Sequence, residues 1–226
     1  MIKRFSQGIA LCGVVLFSIA AYAGSQEAAA HNSAGAALLA QGKTEPAIVE
    51  FQRALVSDLN FFPARLNLAF AFEKAGRIDD AIKAYRVAID TQPHNFLAHN
   101  NLGVLYGKTG QHDLAIARFE SALTIEPGNS LALKNLENAN KNHATIKERE
   151  AQIAKIEGEA EAKPHDPRAS YAVARTHAVY GNKGLALEWL GKAIRQGYRD
   201  VAGMKADPAF ENIRQEREFE LLLLRR

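Results

Sequence analysis

A pattern of side-chain types recurs along this chain with a period of 34 residues, and that period constrains the fold more than any local feature. One copy comprises Leu102, Gly103, Tyr106, Gly110, Ala115, Phe119, Ala122 and Pro127. The copy before it comprises Leu68, Ala69, Phe72, Gly76, Ala81, Tyr85, Ala88 and Pro93. The first comprises Ala34, Gly35, Leu38, Gly42, Ala47, Phe51, Ala54 and, in place of the proline, Leu59. The period predicts structural units at residues 28–61, 62–95 and 96–129.

Each unit is predicted to be a pair of helices joined by a turn at its glycine. The apolar residues of the second unit form one stripe on each of two helical wheels, namely Leu68, Ala69 and Phe72, then Ala81, Tyr85 and Ala88. Gly76 follows the first stripe, where a helix end favours a residue that adopts positive φ. An acid, namely Glu45, Asp79 or Asp113, then recurs every 34 residues and places an anion in the first turn of each second helix. Because one helix pair cannot bury its own apolar face, the pairs must stack.

The remainder of the chain continues the pattern less regularly. Residues 130–163 have glycine only at Gly158 and no proline, so they are either one long charged helix that links two halves or a degenerate repeat. Residues 164–200 restore the repeat offsets and predict a further helix pair. Residues 201–226 are then left to form a helical cap.

The repeated positions resemble the signature of tetratricopeptide repeats. Residues 62–95 and 96–129 match it closely, although Arg65 and His99 occupy a position where the family often has tryptophan. The resemblance implies an all-α fold, a right-handed α-solenoid of helix pairs, and a role in binding peptides or protein surfaces without catalysis. The family's clamp for a carboxyl terminus needs Lys, Asn and Arg, but the corresponding faces carry Asn32, Ala36, Pro63, Asn67, Leu97, Asn101 and Val104. A partner of the chaperone-tail kind is therefore not expected.

The N-terminus has the order of a secretory signal peptide. Lys3 and Arg4 precede an apolar run from residue 9 to about residue 21, and small residues flank Tyr22. We expect residues 1–23 to be removed and the mature chain to be periplasmic or secreted. The alternative is an uncleaved anchor, through which alone the chain would contact a membrane, but the run is short for a bilayer span.

Charge and motif content exclude several functions. The formal net charge is +3, which is too little for a nucleic-acid-binding patch. No two histidines have helical i, i+4 spacing, and no Ser, Cys or Lys nucleophile lies in a recognised motif, so we expect no metal, no cofactor and no enzymatic activity. We assign Trp189 to core packing rather than to partner binding.

The helical wheel of each first helix predicts a partner-binding groove opposite its core stripe. It would provide an apolar strip bordered by asparagines, suited to an amphipathic helix or an extended peptide. The alternative is that Leu66 and Phe70 pack against adjacent first helices. The predicted groove residues are Asn32, Ala36, Leu39, Leu66, Asn67, Phe70, Asn100, Asn101, Val104, Lys108 and Asn138.

These features predict a protein–protein interaction scaffold or adaptor of a bacterial envelope, with an unidentified protein or peptide as its partner. The alternative is a periplasmic assembly chaperone that holds unfolded clients, such as pilus or cytochrome precursors. An enzyme would need chemistry confined to the C-terminal unit.

Overall fold

The computed structural model describes residues 23–224, and within that range the chain is built of helices without any strand. The predicted all-α fold of helix pairs is confirmed. The chain divides into two compact units, Met1–Asn142 and His143–Arg226, here called unit 1 and unit 2. The predicted signal segment, apart from Ala23, lies outside the described residues.

Unit 1 consists of stacked helix pairs. Helix α3 packs on both α2 and α4, and α5 packs on both α4 and α6, so each pair is covered by the next. The helices are α1 (described over residues 23–40), α2 (Thr44–Ser57), α3 (Phe62–Lys74), α4 (Ile78–Thr91), α5 (Phe96–Lys108) and α6 (His112–Ile125). Helix α7 (Ser130–Glu161) begins in unit 1 and ends in unit 2, and it is a single helix of 32 residues.

The turn glycines adopt the left-handed conformation that the repeat predicts. Gly42, Gly76, Gly110 and Gly181 have φ angles of 75°, 73°, 76° and 80°. Side chains with a Cβ are strained in this region, so these positions favour glycine. The helix that follows three of these turns carries an acid in its first turn, as predicted: Glu45, Asp79 and Asp113.

Small residues let the two helices of a pair approach closely. A Cβ built on Gly103 would lie only 2.7 Å from Cε1 of Phe119, and one built on Gly35 would lie 2.6 Å from Cε1 of Phe51. Phe119 is 3% exposed and Tyr85 is fully buried, which confirms that the repeated aromatic position is interior. The core of unit 1 therefore includes alanines and glycines on one helix packed against a ring from its partner, together with larger side chains such as Ile48, Leu102 and Leu105.

Unit 2 contains one regular helix pair and a C-terminal segment that covers it. Its helices after α7 are α8 (Pro167–Val179), α9 (Lys183–Arg195), α10 (Val201–Ala206), a 3-10 turn (Pro208–Phe210) and α11 (Arg217–Leu224). The segment after α9 buries Met204, Phe210, Ile213 and Phe219 against the pair. Trp189 is partly buried against the same cluster, with Lys192 Nζ 3.9 Å from its ring centroid.

Candidate partner-binding face

The predicted groove residues all lie on the first helices of successive pairs in unit 1. Hydrogen bonds connect several of them from one first helix to the next, so they belong to one surface. We call this surface the first-helix face. It is formed by Asn32, Ala36 and Leu39 on α1, Leu66, Asn67 and Phe70 on α3, Asn100, Asn101, Val104 and Lys108 on α5, and Asn138 on α7. We add Leu97, which was not among the predicted groove residues but lies on α5 four residues before Asn101 and so shares its side of the helix.

Side-chain amides join neighbouring first helices. Asn67 Nδ2 donates to Asn32 Oδ1 at 2.9 Å, which links α3 to α1. Asn135 Nδ2 donates to Asn100 Oδ1 at 3.0 Å, which links α7 to α5. Both bonds join residues 35 apart, one more than the repeat period. Asn135 was not among the predicted residues, and adding 35 rather than 34 to Asn100 would have found it.

The asparagines of α5 point partly into the protein. Asn100 is only 3% exposed, and its Nδ2 donates to Asn101 Oδ1 at 3.3 Å. Asn101 Nδ2 donates in turn to the Tyr85 hydroxyl at 3.2 Å. Burial raises the pKa of Tyr85 above its ordinary value, so its hydroxyl stays neutral. The side-chain amides of Asn100 and Asn101 therefore form hydrogen bonds inside unit 1 as well as on the first-helix face.

The apolar residues of the face divide into two groups. Leu39, Leu66 and Val104 are partly buried and pack against the core of unit 1. Phe70 and Leu97 remain accessible, with 36% and 50% of their surface exposed. The first group supports the fold, whereas the second leaves apolar surface open to a partner.

Cationic side chains border the exposed ring. Lys74 Nζ lies 5.0 Å from the centroid of the Phe70 ring, a distance at which the ring attracts a cation. Lys108 Nζ donates to Glu73 Oε1 at 2.8 Å and so joins α5 to α3. Ala36 and Asn138 are exposed and add no charge. Since Glu73 is neutralised by Lys108, this border carries a net positive charge.

The clamp positions of the family are neutral in this face. They hold Asn32, Ala36, Pro63, Asn67, Leu97, Asn101 and Val104. Two of these amides already bind each other, since Asn67 donates to Asn32. The face therefore lacks the cluster of Lys and Arg that would hold a terminal carboxylate.

Arg65 and His99, at the position where tryptophan is frequent, bind the turn between repeats. His99 Nε2 donates to the Pro93 carbonyl oxygen at 2.9 Å, and Arg65 Nη2 donates to the Leu59 carbonyl oxygen. Each acceptor lies six residues before its donor. Both side chains therefore stabilise the chain entering a first helix, and Arg65 does so at the repeat where Leu59 replaces proline.

The buried histidine of unit 2 is also engaged with its own fold. His177 is 2% exposed, its Nε2 lies 3.0 Å from Glu157 Oε1, and Asn182 Nδ2 lies 3.3 Å from its Nδ1. Within residues 23–224, no group of three or more His, Cys, Asp or Glu side chains could hold a metal ion. Over the same residues, no helix has both the length and the apolarity needed to cross a membrane.

Comparisons with known proteins agree with this architecture. The family model described as Tetratricopeptide repeat matches residues 66–130. The comparison with curated proteins gave no match.

Solved structures share the fold at low sequence identity. The first tetratricopeptide repeat domain of Spaghetti (RPAP3), bound to the HSP90 peptide SRMEEVD, has a TM-score of 0.52 and 22% identity over 53% of this chain and 95% of that chain. The first such domain of human RPAP3 has a TM-score of 0.52 and 19% identity over 55% of this chain and 98% of that chain. The MamA RS-1 ArsTM double mutant has a TM-score of 0.50 and 16% identity over 75% of this chain and 94% of that chain. The tetratricopeptide repeat match is thus confined to residues 66–130, and the solved structures share the fold of stacked helix pairs.

Proposed function

We propose that this protein is a non-catalytic interaction scaffold of a bacterial envelope, and that it holds one partner protein on the first-helix face of unit 1. The observation that carries the proposal is the exposure of Phe70 on α3 and of Leu97 on α5. Amide pairs join α3 to α1 and α5 to α7, and the Lys108–Glu73 ion pair joins α5 to α3. Exposed apolar surface on a repeat stack is a common feature of protein-binding surfaces.

The surface suits an amphipathic helix or an extended segment. Phe70 and Leu97 provide apolar contacts, and the exposed amides of the face provide donors and acceptors for a peptide backbone. The HSP90 peptide of the Spaghetti complex is not a guide to this partner, because the faces that correspond to the carboxylate clamp lack its basic residues. Recognition here rests on apolar contacts and amides.

The test is a Phe70→Glu variant of the purified full chain. A charge at the centre of the apolar strip should abolish capture of the partner from envelope extract by crosslinking and mass spectrometry, while the thermal melt changes little. Val56→Glu is the matched control, because Val56 is 84% exposed on the second helix α2 and lies outside the face. Capture of the same proteins by Phe70→Glu and the parent would refute the proposal, and unfolding of the variant would assign Phe70 to the core.

A scaffold and a chaperone differ in what they bind. The scaffold should co-purify with one folded partner at a fixed stoichiometry. A chaperone for unfolded pilus or cytochrome precursors would suppress aggregation of several denatured clients. Light scattering of such clients, with and without the protein, separates the two functions.

Export is part of the proposal and has its own test. The order of basic, apolar and small residues before Gly24 supports cleavage after Ala23 and a periplasmic or secreted mature chain. N-terminal sequencing of protein from the native host should therefore begin at Gly24. Intact chains starting at Met1 in the membrane fraction would instead identify an anchor.

A further inference from the structure

A cleft on the second helices of unit 1 is not used by the first-helix face. It has a volume of about 410 Å³ and lies between α4 and α6, with α5 contributing to its floor. We call it the α4–α6 cleft. It is lined by Arg86 and Asp90 from α4, Leu102 and Tyr106 from α5, and Leu114 and Arg118 from α6.

The two walls of the cleft carry guanidinium groups without an anionic partner. Arg86 comes from α4 and Arg118 from α6. Among residues 23–224, neither side chain forms an ion pair or a hydrogen bond. Asp90 is also unpaired within these residues and contributes one negative charge, so the cleft keeps one net positive charge. Two guanidiniums that come from different helices and line one cleft suit an anion with several oxygens.

The floor of the cleft is mainly apolar and includes one phenol. Leu102 is 1% exposed and Tyr106 is 8% exposed, so little of the surface of either side chain contacts bulk water. The Tyr106 hydroxyl has no hydrogen-bond partner among the described residues. Leu114 adds an apolar side chain that is 44% exposed. A ligand that fills the cleft therefore needs an anionic group attached to an apolar part.

The adjacent repeat shows that packing does not require these polar residues. One repeat period earlier, Gln52 corresponds to Arg86, Phe72 to Tyr106 and Ala84 to Arg118. Those residues lie in the equivalent layer between α2 and α4, where the guanidinium that meets the ring comes from another position, since Arg77 lies 4.5 Å from the centroid of the Phe72 ring. Since the same backbone positions fold with Gln, Phe and Ala, the placement of Arg86, Tyr106 and Arg118 around one cleft is a property of the α4–α6 layer.

We propose that the α4–α6 cleft binds a carboxylate side chain within an acidic and apolar segment of a partner protein. Arg86 and Arg118 would donate to the carboxylate from both walls, and Tyr106 would donate its free hydroxyl. Leu102 and Leu114 would contact an apolar residue beside the acid. This site is separate from the first-helix face, and it does not depend on the function proposed for that face.

The experiment measures fluorescence anisotropy of a labelled peptide of alternating leucine and glutamate, titrated with the full chain. Arg86→Gln and Arg118→Ala each copy the adjacent repeat, so they should melt like the parent and weaken binding about tenfold through loss of a charge-assisted bond. Tyr106→Phe should weaken it about threefold, because a neutral donor contributes less. Asp90→Asn should strengthen binding, because it removes the repelling carboxylate.

Controls separate this site from general attraction to positive charge. Lys83→Gln removes one charge from an exposed position of α4 outside the cleft, and Phe70→Glu alters only the first-helix face, so both should bind the peptide as the parent does. A peptide with glutamine in place of glutamate should not bind. Equal weakening by Lys83→Gln, or unchanged binding in both arginine variants, would overturn the proposal. Binding of inorganic phosphate as tight as that of the peptide would overturn the assignment to an acidic protein segment.

Discussion

The two units of this protein bury their helix pairs in different ways. In unit 1, each pair places one ring, such as Phe119, on a small residue of the partner helix, and the next pair covers it. In unit 2, the α8–α9 pair is covered by a non-repeating segment whose aromatic rings form one cluster. Phe210 lies 5.6 Å from Phe219 and 5.7 Å from Tyr171, measured between ring centroids. A repeating core divides stability among its layers, whereas a terminal cover concentrates it in a few large residues.

The polar contacts that join helices also differ between the two units. In unit 1, the bonds between first helices are mainly neutral amide pairs. In unit 2, Asp207 accepts from the Tyr171 hydroxyl at 2.8 Å and from the Ala209 N–H at 3.0 Å, and it pairs with Arg175 Nε at 2.7 Å. Partial burial would raise the pKa of Asp207, but these three partners outweigh it and hold the pKa below its ordinary value. The Asp207 carboxylate thus gathers three polar contacts at the cover of unit 2, and Asn212, which donates to the Ala178 carbonyl oxygen at 2.7 Å, adds another.

The largest expected effect tests whether the core of unit 1 is shared between layers. Phe119→Ala should lower the free energy of unfolding by about 3–5 kcal/mol, because it removes a buried ring that the helices cannot fully close around. Hydrogen exchange should show weaker protection in α3 and α4 as well as in α5 and α6. Phe210→Ala is the comparison in unit 2, and its effect on exchange should remain within residues 167–224. A loss below about 1 kcal/mol for Phe119→Ala would contradict the shared core.

The next effect tests the carboxylate anchor of unit 2. Tyr171→Phe should cost about 1.5–3 kcal/mol at neutral pH, because the hydroxyl donates to a charged acceptor. Since the folded-state pKa of Asp207 is lowered, its contribution is complete above the ordinary aspartate value of about 3.9 and is lost as the pH falls through the folded pKa. Denaturant unfolding from neutral to acid pH should show the two proteins converging in acid.

Tyr198→Phe is the control for the anchor. The Tyr198 ring stacks on Tyr171 with centroids 4.2 Å apart, but its hydroxyl has no hydrogen bond among the described residues. This variant should melt like the parent at every pH. A Tyr171→Phe effect of constant size from neutral pH into acid would show that Asp207 is not the acceptor that matters.

A somewhat smaller effect tests the close approach of helices in unit 1. Gly103→Ala should cost about 1–3 kcal/mol, because the new Cβ would overlap the Phe119 ring. The α3–α4 pair already has Ala69 at the equivalent position, whereas Gly103 and Gly35 both lie too close to a ring for an added Cβ. In a double-mutant cycle with Phe119→Ala, the cost of Gly103→Ala should largely disappear. Additive losses in that cycle would mean that the ring is not what Gly103 accommodates.

The smallest effect concerns the ion pair between first helices. Lys108→Gln should change stability by at most about 1 kcal/mol, because the Lys108 side chain is 55% exposed and the pair is solvated. The difference should vanish in about 1 M salt, where the screening length is a few ångströms. A larger loss that salt then removes would indicate that the first-helix face is held by charge rather than by its amide pairs.

The helix pairs, their turns and their core could be predicted from the sequence because they are local and periodic. Gly76 and Gly110 mark turns by their own conformational freedom, and Ala81 with Tyr85 marks a buried stripe by its spacing on one helix. The residues of the first-helix face could be placed on their helices by the same wheel. The same wheel could not show that Leu66 packs on the core while Phe70 is exposed, because this difference depends on how near the next helix lies.

Contacts between helices were decided by the tertiary structure. Asn135 meets Asn100, Asn101 meets Tyr85, and Arg86 shares a cleft with Arg118 only because stacking sets an offset between successive helices. A sequence period of 34 does not contain that offset, since first helices bond to each other at a separation of 35. The contacts of Asp207 could be predicted even less, because Asp207 belongs to a segment without repeats. The position of that segment is set by the surface that it covers. Periodicity specifies which side chains share a helix face, and the packing of helices specifies which of those side chains meet.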